Sequence, residues 1–247
     1  MKPKIGVFSL SCCEGCELMI LNLEDELLDI LNLVEFVNFR EAMDIREDEY
    51  DIAFVEGSVE TEEDIEHLKE IRDNAKILIA LGSCAWPGGV NTIKNNHDLD
   101  EASNYVYGDK ADWYPTRMAE PIDHFVRVDY YIKGCPIDKK EFIYYLQCLL
   151  NNQIPKEKDY PVCYECKQNG SICVFEKGMQ CMGPLTRGGC LAVCPKFGNY
   201  CWGCRGPLPG ANIEVHKATL AKHGLSQDEI KKRISLLIGG ASLEQYE

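Results

Sequence analysis

The sequence predicts an α/β chain in consecutive parts: a parallel sheet wrapped by helices, then an irregular segment held by cysteine chemistry, then a short helical tail. Two observations carry most of this. From residue 4 to about residue 154, short β-branched runs alternate with helical patterns, the order that builds parallel strands joined by crossover helices. Residues 155–210 then lose that periodicity and hold 6 of the 11 prolines, 9 of the 20 glycines and 8 of the 14 cysteines. The expected domains are therefore 1–154, 155–210 and 211–247.

Taken in order, residues 5–10, 34–39, 51–55, 77–81 and 128–132 read as strands. Several are apolar throughout, as strands covered on both faces must be. Between them, 17–31 carries Leu18, Leu21, Leu27, Leu28 and Leu31 at helical spacing, and 61–72 opens with acidic residues and carries Ile65, Leu68 and Ile71. A third helix, 139–150, closes the region. Together these elements predict a flavodoxin-like, doubly wound parallel sheet. In the tail, Ser226-Gln227-Asp228-Glu229 is a capping-box pattern ahead of a packing helix at 229–238.

At 247 residues, 45% apolar and 27% charged, the chain can bury a full core. No apolar run approaches the roughly 18 residues of a spanning helix, so no membrane span is expected. The N-terminus enters a strand directly, with no signal-peptide pattern, and a cytoplasmic protein is expected. Forty acidic against 26 basic residues give a net charge of −14, which argues against nucleic acid as a partner. Residues 155–210 alone carry +3, which leaves −17 elsewhere and suits bound anionic centres in that segment.

Cysteine usage is the second outlier, because a chain of this size needs no disulfide scaffold and cytosolic thiols stay reduced. In the first domain, Cys13-Glu14-Gly15-Cys16, Cys84 and Cys135 each follow the carboxyl end of a strand. In an open parallel sheet those ends share one edge, where ligands bind, so four thiolates distant in sequence converge. Pro136 after Cys135 matches a step common at iron–sulfur ligands. The alternative is that these are buried structural thiols. Cys12 could replace Cys13 as ligand, although the C-x-x-C spacing to Cys16 favours Cys13. Cys148 lies in an apolar helix and reads as core.

In the second region, Cys163-x2-Cys166-x6-Cys173-x7-Cys181 precedes Cys190-x3-Cys194-x6-Cys201-x2-Cys204. Eight thiolates divide into two sets of four, each the signature of zinc or an iron–sulfur cluster. Zinc knuckles use two short C-x-x-C pairs per site, whereas each set here has one, so cubane clusters fit better. Three clusters without an evident substrate pocket make a wire, and the expected function is electron transfer. No G-x-G-x-x-G follows a strand and there is no P-loop, so no nucleotide site is expected. None of the five histidines adjoins a cysteine set in sequence, and all five read as surface or packing residues.

Five motifs recur together: Ser11-Cys12-Cys13-Glu14-Gly15-Cys16, Val55-Glu56-Gly57-Ser58, Gly82-Ser83-Cys84, Gly134-Cys135-Pro136 and the run from Cys181-Met182-Gly183-Pro184 to Gly189-Cys190. Over about residues 4–210 the chain resembles the small (delta) subunit of cytosolic nickel–iron hydrogenases of the sulfhydrogenase type. That resemblance implies three 4Fe-4S clusters. Cys13, Cys16, Cys84 and Cys135 would hold the proximal one, Cys190, Cys194, Cys201 and Cys204 the medial, and Cys163, Cys166, Cys173 and Cys181 the distal. It implies an oxidoreductase subunit with no catalytic residue of its own. Its partners would be a large subunit carrying the nickel–iron centre and flavin or iron–sulfur subunits linked to NAD(P) or ferredoxin.

One position departs from the family, which usually has a small non-cysteine residue where Cys12 stands. Tandem cysteines resemble instead the related cluster subunit of respiratory complex I, which lacks the second region. A complex I-like reductase subunit without hydrogen activity and a zinc-stabilised assembly protein are the alternative functions. Glu56, at a strand end on the cluster edge, is expected either to line the subunit interface or to stand exposed.

Overall fold

A computed structural model of the chain describes residues 2–239; the last eight residues of the expected tail lie outside the described residues. Five strands, β1 (Lys4–Ser9), β2 (Glu35–Phe39), β3 (Tyr50–Glu56), β4 (Ala75–Leu81) and β5 (Tyr130–Ile132), form one sheet. Their order is β2-β1-β3-β4-β5, and every neighbouring pair is parallel. The α/β class and the doubly wound sheet are thus as the sequence predicts. Winding reverses at β1, so a crevice opens at the carboxyl ends of β1 and β3.

Alternation along the strands sends side chains to two apolar layers. Ile5, Val7, Ile52, Phe54, Ile79 and Leu81 face one side, where they meet Ile20, Phe142 and Leu146. Ala53, Val55, Leu78 and Ala80 face the other, against Leu68 and Ile71. Helices α1 (Gly15–Leu21) and α2 (Asp25–Leu33) follow β1, and α3 (Glu62–Asn74) follows β3. Thr61 caps α3 reciprocally: Asp64 N–H donates to Thr61 Oγ1 at 3.1 Å and Thr61 N–H to Asp64 Oδ2 at 2.9 Å.

Three differences from the sequence reading have physical causes. The single helix expected at 17–31 is broken at Asn22, because Leu23 turns into the core and Glu24 takes a positive φ of 56°. Of the five leucines that suggested its period, Leu18, Leu28 and Leu31 are exposed and Leu21 and Leu27 pack half-buried on the core; Ile20, Leu23 and Ile30 are the buried residues. Strand β5 starts two residues late, since the Asp129 carboxylate accepts the Leu78 N–H at 2.9 Å and also holds Arg72 at 2.7 Å. The connection between β4 and β5, unassigned in the sequence, contains α4 (Gly82–Ala85), α5 (Leu99–Tyr107) and three 3-10 turns. Helix α6 (Lys139–Leu150) has the expected bounds, with Asp138 accepting from Lys140 and Glu141 N–H at 3.0 Å each.

The chain divides into two compact units after Pro155. The described part of the second carries helices α7 (Val162–Gln168), α8 (Val193–Lys196), α9 (Ile213–Lys222) and α10 (Gln227–Leu237). Ser226 and Glu229 form the expected capping box, and α10 begins two residues earlier than the pattern suggests. Leu220, Ile230, Ile234 and Leu237 from α9 and α10 pack on Met182 and Leu185. The tail thereby supplies apolar surface that the cysteine-rich segment lacks in its own composition.

Phe54 is fully buried in β3, with its ring centroid 5.1 Å from that of Phe142. Phe54→Ala should cost about 3–5 kcal/mol, read as a lower denaturation midpoint for the first unit. A cost below about 1 kcal/mol would contradict this packing.

Candidate metal centres

The carboxyl edge of the sheet collects five thiols on loops that are stitched together. Beyond β1, Ser11 N–H donates to Ser58 O at 3.2 Å and Ser58 N–H to Ser11 O at 3.0 Å, which joins the loop of Cys12 and Cys13 to the loop after β3. Asn91 Nδ2 reaches both, donating to Ser11 O at 2.7 Å and to Ser58 Oγ at 2.8 Å. On the other side, Ser83 N–H donates to Gly134 O at 2.8 Å and ties the Cys84 loop to the Cys135 loop. Gly82 is the junction. At φ +81° it lies where an added Cβ would strike Cys16 Sγ and stand 3.4 Å from Gly134 O, so only glycine lets these loops close up.

Glu56 is buried at 1% exposure, which overturns the expectation of an exposed strand-end carboxylate. Its carboxylate accepts from Cys16 N–H at 3.1 Å and Glu17 N–H at 3.0 Å, and so anchors the first turn of α1. Sequence reasoning missed this partnership because the two segments lie 40 residues apart.

Electrostatics here oppose free thiolates. Burial pushes Cys84 up to about 12, with Cys135, Glu56 and Cys13 adding to it. Burial also pushes Cys12 up to about 12, against the pull of the Glu14 backbone N–H. Cys16 is raised by burial and then by Glu56, and Cys135 by burial and then by Cys13. Cys12, Cys16, Cys84 and Cys135 thus each feel the charge of another cysteine in the group, and a group of ionised sulfurs needs a positive centre among them. Iron supplies that charge: a coordinating thiol is deprotonated outright. The donor set therefore fits an iron–sulfur group.

In the second unit, Cys163 is pushed up to about 12 by burial, then by Cys181, Cys166 and Cys173, the three other members of its predicted set. Gly183 fits between sulfurs: an added Cβ would stand 3.3 Å from Cys181 Sγ and 3.4 Å from Cys163 Sγ. Cys181 Sγ accepts the N–H of Gly183 at 3.4 Å and of Cys201 at 3.3 Å, bonds that stabilise a ligating sulfur. Cys201, raised by burial, feels both Cys181 and Cys204. Cys190 is raised by burial and by Glu165 and lowered by Arg205. The Cys194 carbonyl accepts the Asn199 N–H at 2.9 Å, which closes the turn after α8.

His216 is a packing residue, one of the two roles expected for the histidines, and is buried with Nε2 3.0 Å from Cys181 O, a contact the sequence reading did not anticipate. Glu165, between two candidate ligands, is buried too. Cys148 is buried in α6, as the sequence suggests. Among the described residues, no group of three or more His, Cys, Asp or Glu is arranged to hold a single metal ion. No helix among them is long and apolar enough to cross a membrane.

A doubly wound sheet with thiols at its switch-point edge, followed by a unit with eight more cysteines, defines a class: a two-unit, cysteine-rich α/β chain. The family described as "NADH ubiquinone oxidoreductase, 20 Kd subunit" matches residues 13–149. The chain is 40% identical to sulfhydrogenase 2 subunit delta of Pyrococcus furiosus, across 94% of this chain and 97% of that one. To a subunit of the vhu F420-non-reducing hydrogenase of Methanocaldococcus jannaschii it is 34% identical, across 95% and 93%. Among solved structures, a chain of an NAD+-reducing [NiFe]-hydrogenase in the H2-reduced state superposes with a TM-score of 0.58 at 30% identity, covering 63% of this chain and 95% of that chain. The chain belongs to this family of hydrogenase small subunits, within the wider family of the 20 Kd subunit.

Glu17 yields a pH prediction. It is fully buried, neither carboxyl oxygen has a hydrogen-bond partner, and burial, followed by Glu56 and Glu14, pushes it up to about 8. The folded chain keeps this proton up to about pH 8, whereas the unfolded chain releases it near the ordinary glutamate value of 4.5. Between those values the folded state binds more protons, so stability falls as pH rises through the window. Urea titrations of the metal-free chain should show that slope, flattened in Glu17→Gln; equal slopes would contradict the buried acid.

Proposed function

We propose that this chain is the electron-transfer small subunit of a cytoplasmic nickel–iron hydrogenase. It relays electrons between a nickel–iron centre in a large partner subunit and flavin or iron–sulfur subunits linked to NAD(P) or ferredoxin. What supports this is a complement of twelve free cysteines, four of the five at the sheet edge and all eight of the second unit, in a family of hydrogenase subunits. In this reading Cys13, Cys16, Cys84 and Cys135 hold the proximal 4Fe-4S cluster, Cys190, Cys194, Cys201 and Cys204 the medial, and Cys163, Cys166, Cys173 and Cys181 the distal.

When bound, iron–sulfur clusters supply one-electron carriers whose potentials follow charge, hydrogen bonds to sulfur and exposure. The chain's own residues do the rest. Glu56 fixes the turn that presents Cys16, Gly82 lets the Cys84 and Cys135 loops meet it, and the N–H groups of Gly183 and Cys201 stabilise the Cys181 sulfur. No C-x-x-C pair remains uncommitted for a nickel site, only Cys12 and Cys148, so hydrogen activation is assigned to the partner.

A second reading is an electron-transfer subunit of a complex I-like reductase. The tandem Cys12-Cys13 and the match of residues 13–149 to the 20 Kd subunit favour it. Against it stands the similarity to the sulfhydrogenase delta subunit across nearly the whole chain, cysteine-rich region included.

The test uses the assembled complex. Hydrogen–deuterium exchange needs only the nickel centre, because heterolytic cleavage returns its products without sending electrons along the clusters. Cys166→Ala should keep exchange and lose most NAD(P)- or ferredoxin-linked hydrogen oxidation. Cys84→Ala should impair both, because the proximal loops also shape the face toward the large subunit. Acceptor-linked turnover at wild-type rate in Cys166→Ala, with that cluster demonstrably absent, would refute the linear order.

A further inference from the structure

Glu165 sits in α7 between Cys163 and Cys166, yet its carboxylate engages the other cysteine set. It is 3% exposed. Oε1 accepts the N–H of Gly189 at 2.6 Å and the Tyr160 hydroxyl at 3.3 Å, and Oε2 accepts the N–H of Ala192 at 3.1 Å. Cys190 Sγ lies 3.9 Å from Oε2. Leu191 and Ala192, the two residues after Cys190, have φ of 55° and 47°, a left-handed conformation that L-residues leave unless they are held. Asn169 Nδ2 holds the first of them through Leu191 O at 2.6 Å, and Glu165 holds the second. Arg205, 2% exposed, packs against this loop from the segment after Cys204, donating from Nε to Gly188 O at 2.8 Å.

We propose that Glu165 is a positioning residue with an electrostatic role: it clamps the 189–192 loop onto α7 and places a fixed negative charge beside Cys190, which lowers the reduction potential of the cluster held by the Cys190 set. The inference rests on the cluster-binding reading above. Its physical basis is direct. Reduction adds an electron to a centre already surrounded by thiolates, and a carboxylate against one of those sulfurs in a dry interior makes that addition harder. Arg205 offsets part of this charge, so the pair sets the potential while the backbone bonds set the geometry. A carboxylate that served only as a strut would influence loading and stability and leave the potential alone.

The experiment is an EPR-monitored redox titration of the full chain after anaerobic reconstitution, for wild type, Glu165→Gln and Glu165→Asp. Wild type should carry about twelve irons, and the midpoint of the Cys190-set cluster is assigned as the one that vanishes in Cys194→Ala. In Glu165→Gln, with iron retained, that midpoint should rise by about tenfold in the reduction equilibrium, roughly 59 mV for one electron, and more than either other midpoint. Glu165→Asp, which keeps the charge, should show less than half that rise. An unmoved midpoint in fully loaded Glu165→Gln would overturn the proposal, as would loss of about four irons from both variants alike, the mark of a mere strut. If wild type takes up no cluster at the Cys190 set, the cluster reading itself fails, and it fails before any Glu165 variant is made.

Discussion

A thiol held away from water gives up its proton most readily beside a positive charge, and Cys16, Cys84, Cys181 and Cys201 are buried among candidate ligands that raise them further. Cys84 is pushed up to about 12 with Cys135 and Cys13 contributing, and Cys163 to about 12 with all three members of its set contributing. Neither arrangement is comfortable as a cluster of free thiolates. A metal core with several positive charges reverses the sign of every one of those interactions. The same burial that opposes ionisation in the metal-free chain then shields the centre from water.

The two units meet this demand with different architectures. In the first, the parallel sheet does it by topology: β1, β4 and β5 end on one edge, so the loops after them carry Cys13, Cys84 and Cys135 to the same place. Core packing on both faces fixes those strand ends, and the Ser11–Ser58 and Ser83–Gly134 backbone bonds fix the loops beyond them. The second unit has no strand among the described residues to do this work. It relies on short helices, turn hydrogen bonds, and buried polar anchors such as Glu165, Arg205 and His216, with α9 and α10 providing the apolar backing.

Much of this was legible in the sequence, for reasons that can be named. Apolar strands in β-α order admit few topologies, and the carboxyl-edge rule then places Cys84 and Cys135 near Cys16 without any structure. What stayed hidden depends on contacts that no local pattern encodes. Glu56 looks like an exposed strand end until α1 is seen to start on it, and nothing near Glu165 in sequence points to its partners, which lie 24 and 27 residues onward. The helix expected at 17–31 misled because three of its five leucines, Leu18, Leu28 and Leu31, are exposed while Leu23, at the break, points in. Periodicity reports spacing, and only packing decides which face is buried.

The central claim is that three groups of four cysteines each hold an iron–sulfur cluster. Anaerobic crystals of the chain, with anomalous difference maps collected on both sides of the iron edge and of the zinc edge, test it most directly. Three separate iron peaks are expected: one at the sheet edge among Cys13, Cys16, Cys84 and Cys135, and two in the second unit, one within each cysteine set. Zinc-edge signal in the second unit, or iron confined to the sheet edge, would contradict it.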